Sequence, residues 1–413
     1  MLQLKRLLLP AGSLTPECRW IVGIEAVLAG AKFSVPFLTL YLAQCLGLSF
    51  AMAGLLVAIR GCGGLMAGFV CGAAADFLGE KKVLGVLVVG QIACAAAIPH
   101  LLEFPELVAG FFLLGFFING TAPVFASLLV RSMPITGWTQ AYSAEYWAVN
   151  VGFAVTAICG GWVAAVDYAM LFYLEAGLSC GALLLAMVKL PTSNKPRRQR
   201  ANRKPTPCGI LRRAGHVLDR VLIAAQDKLA VALISASFLF ALCLSQMTST
   251  LPLDMELQGY SPDQYGYVIF WNGALLSLVQ ISAGKVIADM RKMRLLVSAA
   301  VISGAGYALL SFTVTPLWFV LICVTIWTAG EMVDAPVRST VVSSLAKSGS
   351  RGRYLGLLTA ALTAGYCFGP LLGGWLLESF GRIALWLCTG LLAGVAAGIR
   401  FAVARRIERR LAT

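Results

Sequence analysis

The sequence predicts an all-α membrane protein of twelve transmembrane helices in two pseudo-symmetric six-helix bundles. Three observations carry that reading. The 413 residues are 59% hydrophobic and only 13% charged, with a mean hydropathy of +0.82. Soluble domains are about 25% charged, so lipid is the solvent for most of this chain. The apolar runs are long and continuous. A helix needs about 20 such residues to cross the roughly 30 Å hydrocarbon layer, and backbone in lipid must satisfy its own hydrogen bonds, which leaves helices or closed barrels; runs of this length select helices. Finally, a glycine pattern occurs twice. Gly54, Arg60, Gly61 and Gly72 recur as Gly266, Asn272, Gly273 and Gly284, each 212 positions on, and Gly152, Gly160, Gly161 and Trp162 recur as Gly365, Gly373, Gly374 and Trp375, each 213 on. A repeat held in register over that distance reads as a duplicated membrane fold.

Taken in order, the N-terminal bundle occupies 1–190, with spans at about 20–43, 50–77, 83–102, 106–131, 141–166 and 168–189. Lys5 and Arg6 are followed by a short apolar run broken at Pro10, which does not suit a cleavable signal peptide, so the first span is expected to stay. A basic cytoplasmic linker, 191–227, follows. Its later part, Ile210 to Ala225, sets Leu211, Val217, Leu218, Val221 and Leu222 against Arg212, Arg213 and Arg220; that pattern suits a helix lying on the anionic inner leaflet and equally a plain tether. The C-terminal bundle occupies 228–413, with spans at about 229–253, 264–289, 293–313, 316–345, 352–378 and 381–404. Within the spans, Gly64 with Gly68 and Gly369 with Gly373 have the spacing that lets helices approach closely.

The net charge of +14 is a topology signal rather than a nucleic-acid footprint. Of 33 Lys and Arg, Lys32, Arg60 and Arg338 fall within spans and Arg382 in an outer loop; the remainder gather at the inner ends and loops. The positive-inside rule then puts both termini in the cytoplasm, as in an integral plasma membrane protein (the inner membrane, in a bacterium). Outer loops instead carry Glu103, Asp167, Asp254, Glu256, Asp263 and Glu378. The twelve cysteines are scattered without a Cys-x-x-Cys, and only His100 and His216 accompany them, so neither a disulfide framework nor a metal site is expected. No cofactor is implied, and no Walker glycine loop or nucleophile elbow points to an enzyme.

The loop after span 2 reads Gly72-Ala-Ala-Ala-Asp76-Phe77-Leu78-Gly79-Glu80-Lys81-Lys82. It resembles the Gly-x-x-x-Asp-(Arg/Lys)-x-Gly-Arg-(Arg/Lys) motif of the major facilitator superfamily, with Phe77 and Glu80 at two usually basic positions. Its second-half copy keeps Gly284 but has Ala288 where the Asp belongs, with Asp289 one residue late. Span 5, with Tyr142, Tyr146, Asn150, Gly152, Gly160 and Gly161, is similar to the span-5 motif of the drug/proton antiporter branch; Thr156-Ala157 stands at that motif's Gly-Pro step, whereas span 11 keeps Gly369-Pro370. Proline kinks a helix, so span 11 is the expected bend. The branch's span-4 arginine is absent, Phe116 standing four residues before Gly120. The resemblance implies a gate at Asp76 and Gly79, and a central cavity lined by spans 1, 4, 7 and 10.

Ionisable side chains inside spans cost about 2.5 to 3.5 kcal/mol each at a helix centre, so Glu25, Lys32, Arg60, Glu331 and Asp334 must face a polar cavity or one another. Glu25 and Lys32 lie two turns apart on one face of span 1; Glu331, Asp334 and Arg338 share a face of span 10. A carboxylate in poorly hydrated surroundings binds and releases a proton near neutral pH. Glu331 is the first coupling candidate, then Glu25 and Asp334. The alternative is that Asp334 and Arg338 form a fixed ion pair, as does Glu25 with Lys32 or Arg60. Glu145 and Arg338 are candidate gate residues, and Glu175 is expected to be structural. Substrate-contact candidates are Arg60, Lys32, Asn119, Asn150, Gln246, Trp271, Asn272 and Gln280; interhelical hydrogen bonding explains Asn and Gln there equally well.

These readings predict a secondary active transporter working as a monomer in the lipid bilayer, with a small-molecule substrate and protons as partners and no nucleic acid. Its expected function is proton-coupled efflux of a small, partly hydrophobic compound, a multidrug or metabolite exporter. Alternatives are transport of a polar metabolite such as a sugar, peptide, siderophore or organic anion, and, in another class, a lipid flippase or a sensor that transports nothing.

Overall fold

A computed structural model describes residues 14–134, 137–190, 226–288, 290–312, 316–346 and 351–412, with only the backbone described at 139, 278–288, 351–352 and 411–412. The Ile210–Ala225 segment, Lys5 and Arg6, Asp289, and the side chains of Gln280 and Ala288 therefore lie outside the described residues. Among the described residues the chain is helical, without a strand. The helices are α1 (Pro16–Gly30), α2 (Ser34–Gln44), α3 (Phe50–Leu78), α4 (Glu80–Ala97), α5 (Phe104–Ser132), α6 (Trp138–Ala164), α7 (Ala169–Lys189), α8 (Lys228–Ser249), α9 (Leu251–Leu257), α10 (Pro262–Ala288), α11 (Lys292–Leu309), α12 (Leu317–Leu345) and α13 (Arg351–Ala412). They make the twelve membrane helices: α1 and α2 share the first, α9 prolongs the seventh, and α13 supplies the last two, bent apart at Gly381.

Local chemistry sets several boundaries. Thr15 starts α1 by accepting the Cys18 N–H on its side chain at 3.1 Å, with Pro16 next, where a missing donor costs nothing. Asp227 starts α8 by accepting from the N–H groups of Leu229 and Ala230. Gly79 joins α3 to α4 at φ 90°, and Gly381 turns α13 at φ 76°, both in the left-handed region open to glycine.

The first span departs from the continuous helix that its hydropathy predicts. It breaks at 31–33 and restarts at Ser34, with Pro36 in the new first turn. The seventh ends at Thr250, ahead of Pro252, and α9 continues from there, so Asp254, expected in an outer loop, is fully buried. The last span runs on to Ala412, beyond the expected end. Arg400, which the sequence places at an inner end, is also fully buried.

The chain forms two compact units. The first holds Met1–Phe37 and Ile59–Arg212, the second Leu38–Ala58 and Arg213–Thr413. In the first, α1 packs on α6 and α7, and α4 on α5 and α7, around a core that includes Ile21, Ile24, Leu84, Phe125 and Ala182. In the second, α8 packs on α13, and α11 on α12 and α13, around Leu233, Leu296, Val341 and Ile407. The repeated glycines take matching places. Gly152 lets α6 lie against α1, where a Cβ would stand 2.8 Å from the Ala26 carbonyl oxygen, and Gly365 lets α13 lie against α8, where a Cβ would stand 2.8 Å from the Phe238 carbonyl oxygen. Of the four close-packing glycines expected from spacing, Gly64, Gly369 and Gly373 press on neighbours; Gly68 meets nothing within 4 Å.

Candidate functional site

The break in the first span organises one end of a buried polar cluster in the first unit. The first N–H groups of a helix have no partner within it, and here Glu175 of α7 supplies one: its Oε2 accepts from the Ser34 N–H at 3.2 Å and from the Ser34 hydroxyl at 2.6 Å. Its Oε1 accepts from Gln91 of α4 at 3.4 Å, and Gln91 also donates to the Ser179 hydroxyl at 3.2 Å. Glu175 is thus a buried carboxylate surrounded by donors, in the structural role expected of it. Lys32, in the break, and Arg60 of α3 are half-buried and close enough to Glu175 to interact electrostatically. The α3 backbone at Arg60 lies directly against Gly115 of α5.

In the same unit, Glu25 of α1 and Glu145 of α6 are close enough to interact electrostatically. Glu25, the second coupling candidate, thus has both the candidate gate residue Glu145 and the expected alternative partner Lys32 as electrostatic neighbours. The register comes from α6 lying against α1, where Thr156 Oγ1 donates to the Gly30 carbonyl oxygen and Gly152 abuts Ala26.

The second unit holds the other cluster. Asp334 of α12 is paired through Oδ2 with Arg338 one turn on and through Oδ1 with Arg400 of α13, whose Nη1 stands at 2.7 Å. Arg400 also donates to the Leu296 carbonyl oxygen at 2.8 Å and lies over the Phe240 ring, 5.0 Å from its centroid. Asp334 and Arg338 therefore form the fixed pair given as the alternative reading, extended by an arginine that the sequence did not single out. Glu331, one turn before Asp334, is half-buried and close enough to Asn272 of α10, and to Asp334 and Arg338, to interact electrostatically. Asn272 in turn donates to Thr328 Oγ1 at 2.7 Å.

Other candidates are spread more widely. Gln246 is committed to packing: its amide donates to the carbonyl oxygens of Leu242 at 2.8 Å and Gly369 at 2.9 Å, and its Oε1 accepts from Thr250 Oγ1 at 2.7 Å. Asn119 and Asn150 each donate to a carbonyl one turn back on their own helices, at 3.0 and 2.8 Å, and Trp271 donates to Thr325 Oγ1 at 2.9 Å. Asp76 is exposed. At the start of α4 it is Glu80, at a usually basic position, that pairs with Arg131 of α5 and accepts from Ser127 Oγ at 3.2 Å, while Lys81 donates to the carbonyl oxygens of Met187 and Leu190, both at 2.7 Å.

The family model described as Major Facilitator Superfamily matches residues 23–333. The MFS-type transporter YttB of Bacillus subtilis is 27% identical over 375 residues, covering 89% of each chain. Multidrug resistance protein MdtH of Shigella dysenteriae is 24% identical over 418 residues, 93% of this chain and 94% of its own. Among solved structures, the nucleoside transporter NupG superposes with a TM-score of 0.76 at 15% identity over 95% of this chain and 99% of that one. A D-xylose-proton symporter superposes at 0.69 and 16%, over 92% and 96%. At such identities the structural likeness speaks for the fold.

Proposed function

Since the chain belongs to the Major Facilitator Superfamily, a family of membrane transporters, we propose that it exports small, partly hydrophobic compounds in exchange for protons, by alternating access to the two sides of the membrane. The observation that carries the reading is Glu331. It is half-buried in a membrane helix near Asn272, and the neighbouring Asp334 already engages both Arg338 and Arg400. A carboxyl group so placed is neutral with a proton and charged without one, and a single proton changes the charge of the whole cluster. Export of a multidrug type is supported by the likeness to MdtH along nearly all of the chain. The basic inner ends support cytoplasmic termini, and the bundles are assigned to 1–190 and 228–413 with the linker between.

Purified protein in proteoliposomes with an imposed pH gradient and ethidium as probe tests the proposal. Wild type is expected to move ethidium in response to the gradient, and Glu331→Gln to lose gradient-driven flux while retaining ethidium binding. Undiminished gradient-driven flux in the variant would remove Glu331 as the coupling acid; wild-type flux indifferent to the gradient would remove proton coupling.

A further inference from the structure

We propose that the inner end of the second unit, the end to which the positive-inside rule assigns its basic residues, carries a binding site for an anionic phospholipid, formed by the last turns of α13 and the first turn of α11. Neither the transported substrate nor proton coupling enters into it. The frame of the site is apolar. Met293 of α11 and Ile407 of α13 are buried in one core, and Arg400 donates to the Leu296 carbonyl oxygen at 2.8 Å, which sets the start of α11 beside the end of α13. Arg291, Lys292 and Arg294 flank Met293, and Arg405, Arg406 and Arg409 flank Ile407; all of these cations are exposed. Among the described residues their side chains make no ion pair, whereas Arg400 and Arg410 of the same helix are engaged by Asp334 and Asp227. Glu408 is the one acid within 291–294 and 401–412, so the surface keeps a large positive excess.

The charge alone would suit any anion; the face that carries it selects a lipid. Along α13 the exposed side chains of Leu387, Leu391, Val395 and Phe401 share one helix face with Arg405 and Arg409. Leu391 and Phe401 are 67% and 72% exposed, and in a bilayer such a strip is covered by acyl chains. A phospholipid lying along it brings its phosphate level with Arg405 and Arg409, beside the basic first turn of α11. The planar guanidinium donates two parallel hydrogen bonds to a phosphate, and each Lys or Arg near the surface adds to the attraction for a lipid of net negative charge. A zwitterionic lipid brings an ammonium group that opposes this attraction, and a soluble phosphate has no chains to cover the strip. Membrane topology asks only that cations lie on the inner side. It does not gather them on one face below one apolar strip, clear of the acids that engage their neighbours.

Native mass spectrometry of the full chain, released from detergent and titrated with dioleoylphosphatidylglycerol or dioleoylphosphatidylcholine, reads the preference directly. Wild type is expected to retain phosphatidylglycerol at lower concentration than phosphatidylcholine. Arg405→Gln/Arg406→Gln/Arg409→Gln should weaken phosphatidylglycerol binding at least about tenfold and leave phosphatidylcholine binding as it was. Arg19→Gln/Lys82→Gln/Lys189→Gln, which removes the same charge from exposed side chains of the first unit, should keep the preference. Equal losses in the two triple variants, or no preference in wild type, overturn the proposal. Should the arginine triple variant fail to fold, Arg291→Gln/Arg294→Gln tests the site from its α11 side, and an undiminished preference there counts against it. Inorganic phosphate added in excess is expected to leave the phosphatidylglycerol in place; displacement by phosphate alone would give these arginines a simple anion site and overturn the lipid one.

Discussion

Asp334 is the residue on which the second unit's interior charge depends. Its two oxygens engage two buried guanidinium groups, and Arg400 is fully buried. Removing one partner from a buried ion pair leaves an uncompensated charge, at a cost of about 3 to 5 kcal/mol. Asp334→Asn is therefore expected to lower the unfolding midpoint in detergent steeply, whereas Glu331→Gln, which removes no ion pair, should leave it nearly unchanged. Equal midpoints for Asp334→Asn and wild type would mean that the cluster does not hold α12 to α13. The contrast separates the acid that builds the fold from the acid proposed to work in it. Only part of this was legible in the sequence: the i, i+4 spacing of Asp334 and Arg338 announces their pairing, but Arg400 sits near the end of an apolar run, where a basic residue reads as an inner-end charge. That Glu25 and Glu145 come near enough to interact depends on the register of α1 against α6, and no periodicity within either helix contains it.

At the scale of elements, the helices touch where glycine removes a side chain. A Cβ on Gly115 would be driven into the Arg60 carbonyl oxygen, which cannot move without moving α3, whereas a Cβ on Gly177 of α7 meets nothing within 4 Å. Gly115→Ala should then cost about 1 to 3 kcal/mol through overpacking. Gly177→Ala should be neutral or stabilising by up to about 1 kcal/mol, because alanine is the better helix former. Thermal unfolding of the two variants side by side checks the pair, and a destabilised Gly177→Ala would contradict it. The spans themselves are plain in the sequence, since length and apolarity are what lipid demands. The break at 31–33 is hidden because hydropathy runs straight through it. The signal was present in Ser34 and Pro36, a helix-start pattern, but inside a long apolar run that pattern carries little weight until Glu175 is seen to cap it.

For the molecule as a whole, the duplication is visible in contacts as well as in letters: the fifth span rests on the first, and the eleventh on the seventh, through glycines 213 positions apart. Asp227 is a further whole-unit fastening. Besides starting α8, it accepts from the Tyr354 hydroxyl at 2.9 Å near one end of α13 and pairs with Arg410 Nη1 at 2.7 Å near the other. Burial pushes its carboxyl upward, but the hydrogen bonds from Tyr354 and Arg410 outweigh that and hold it below the usual carboxylate range. A group depressed on folding stabilises at pH values above its unfolded pKa, about 3.9 for Asp, and loses that contribution as pH falls through the folded value. Asp227→Asn, which keeps a cap of similar strength but removes the charge paired with Arg410, should thus lower the midpoint by an amount that stays constant from neutral to mildly acidic pH and that shrinks only below about pH 4. A difference that already shrinks near pH 6 would count against this assignment.

The bond between Ser34 and Glu175 joins residues 141 positions apart, which bears on the order in which the protein is made. Chains emerge from the N-terminus, so α2 is synthesised and enters lipid while its capping acid has yet to be translated. An unsatisfied backbone group in hydrocarbon costs several kcal/mol. The first span can therefore settle into its broken shape only after the sixth has been inserted, and the two ends of the first bundle must mature together.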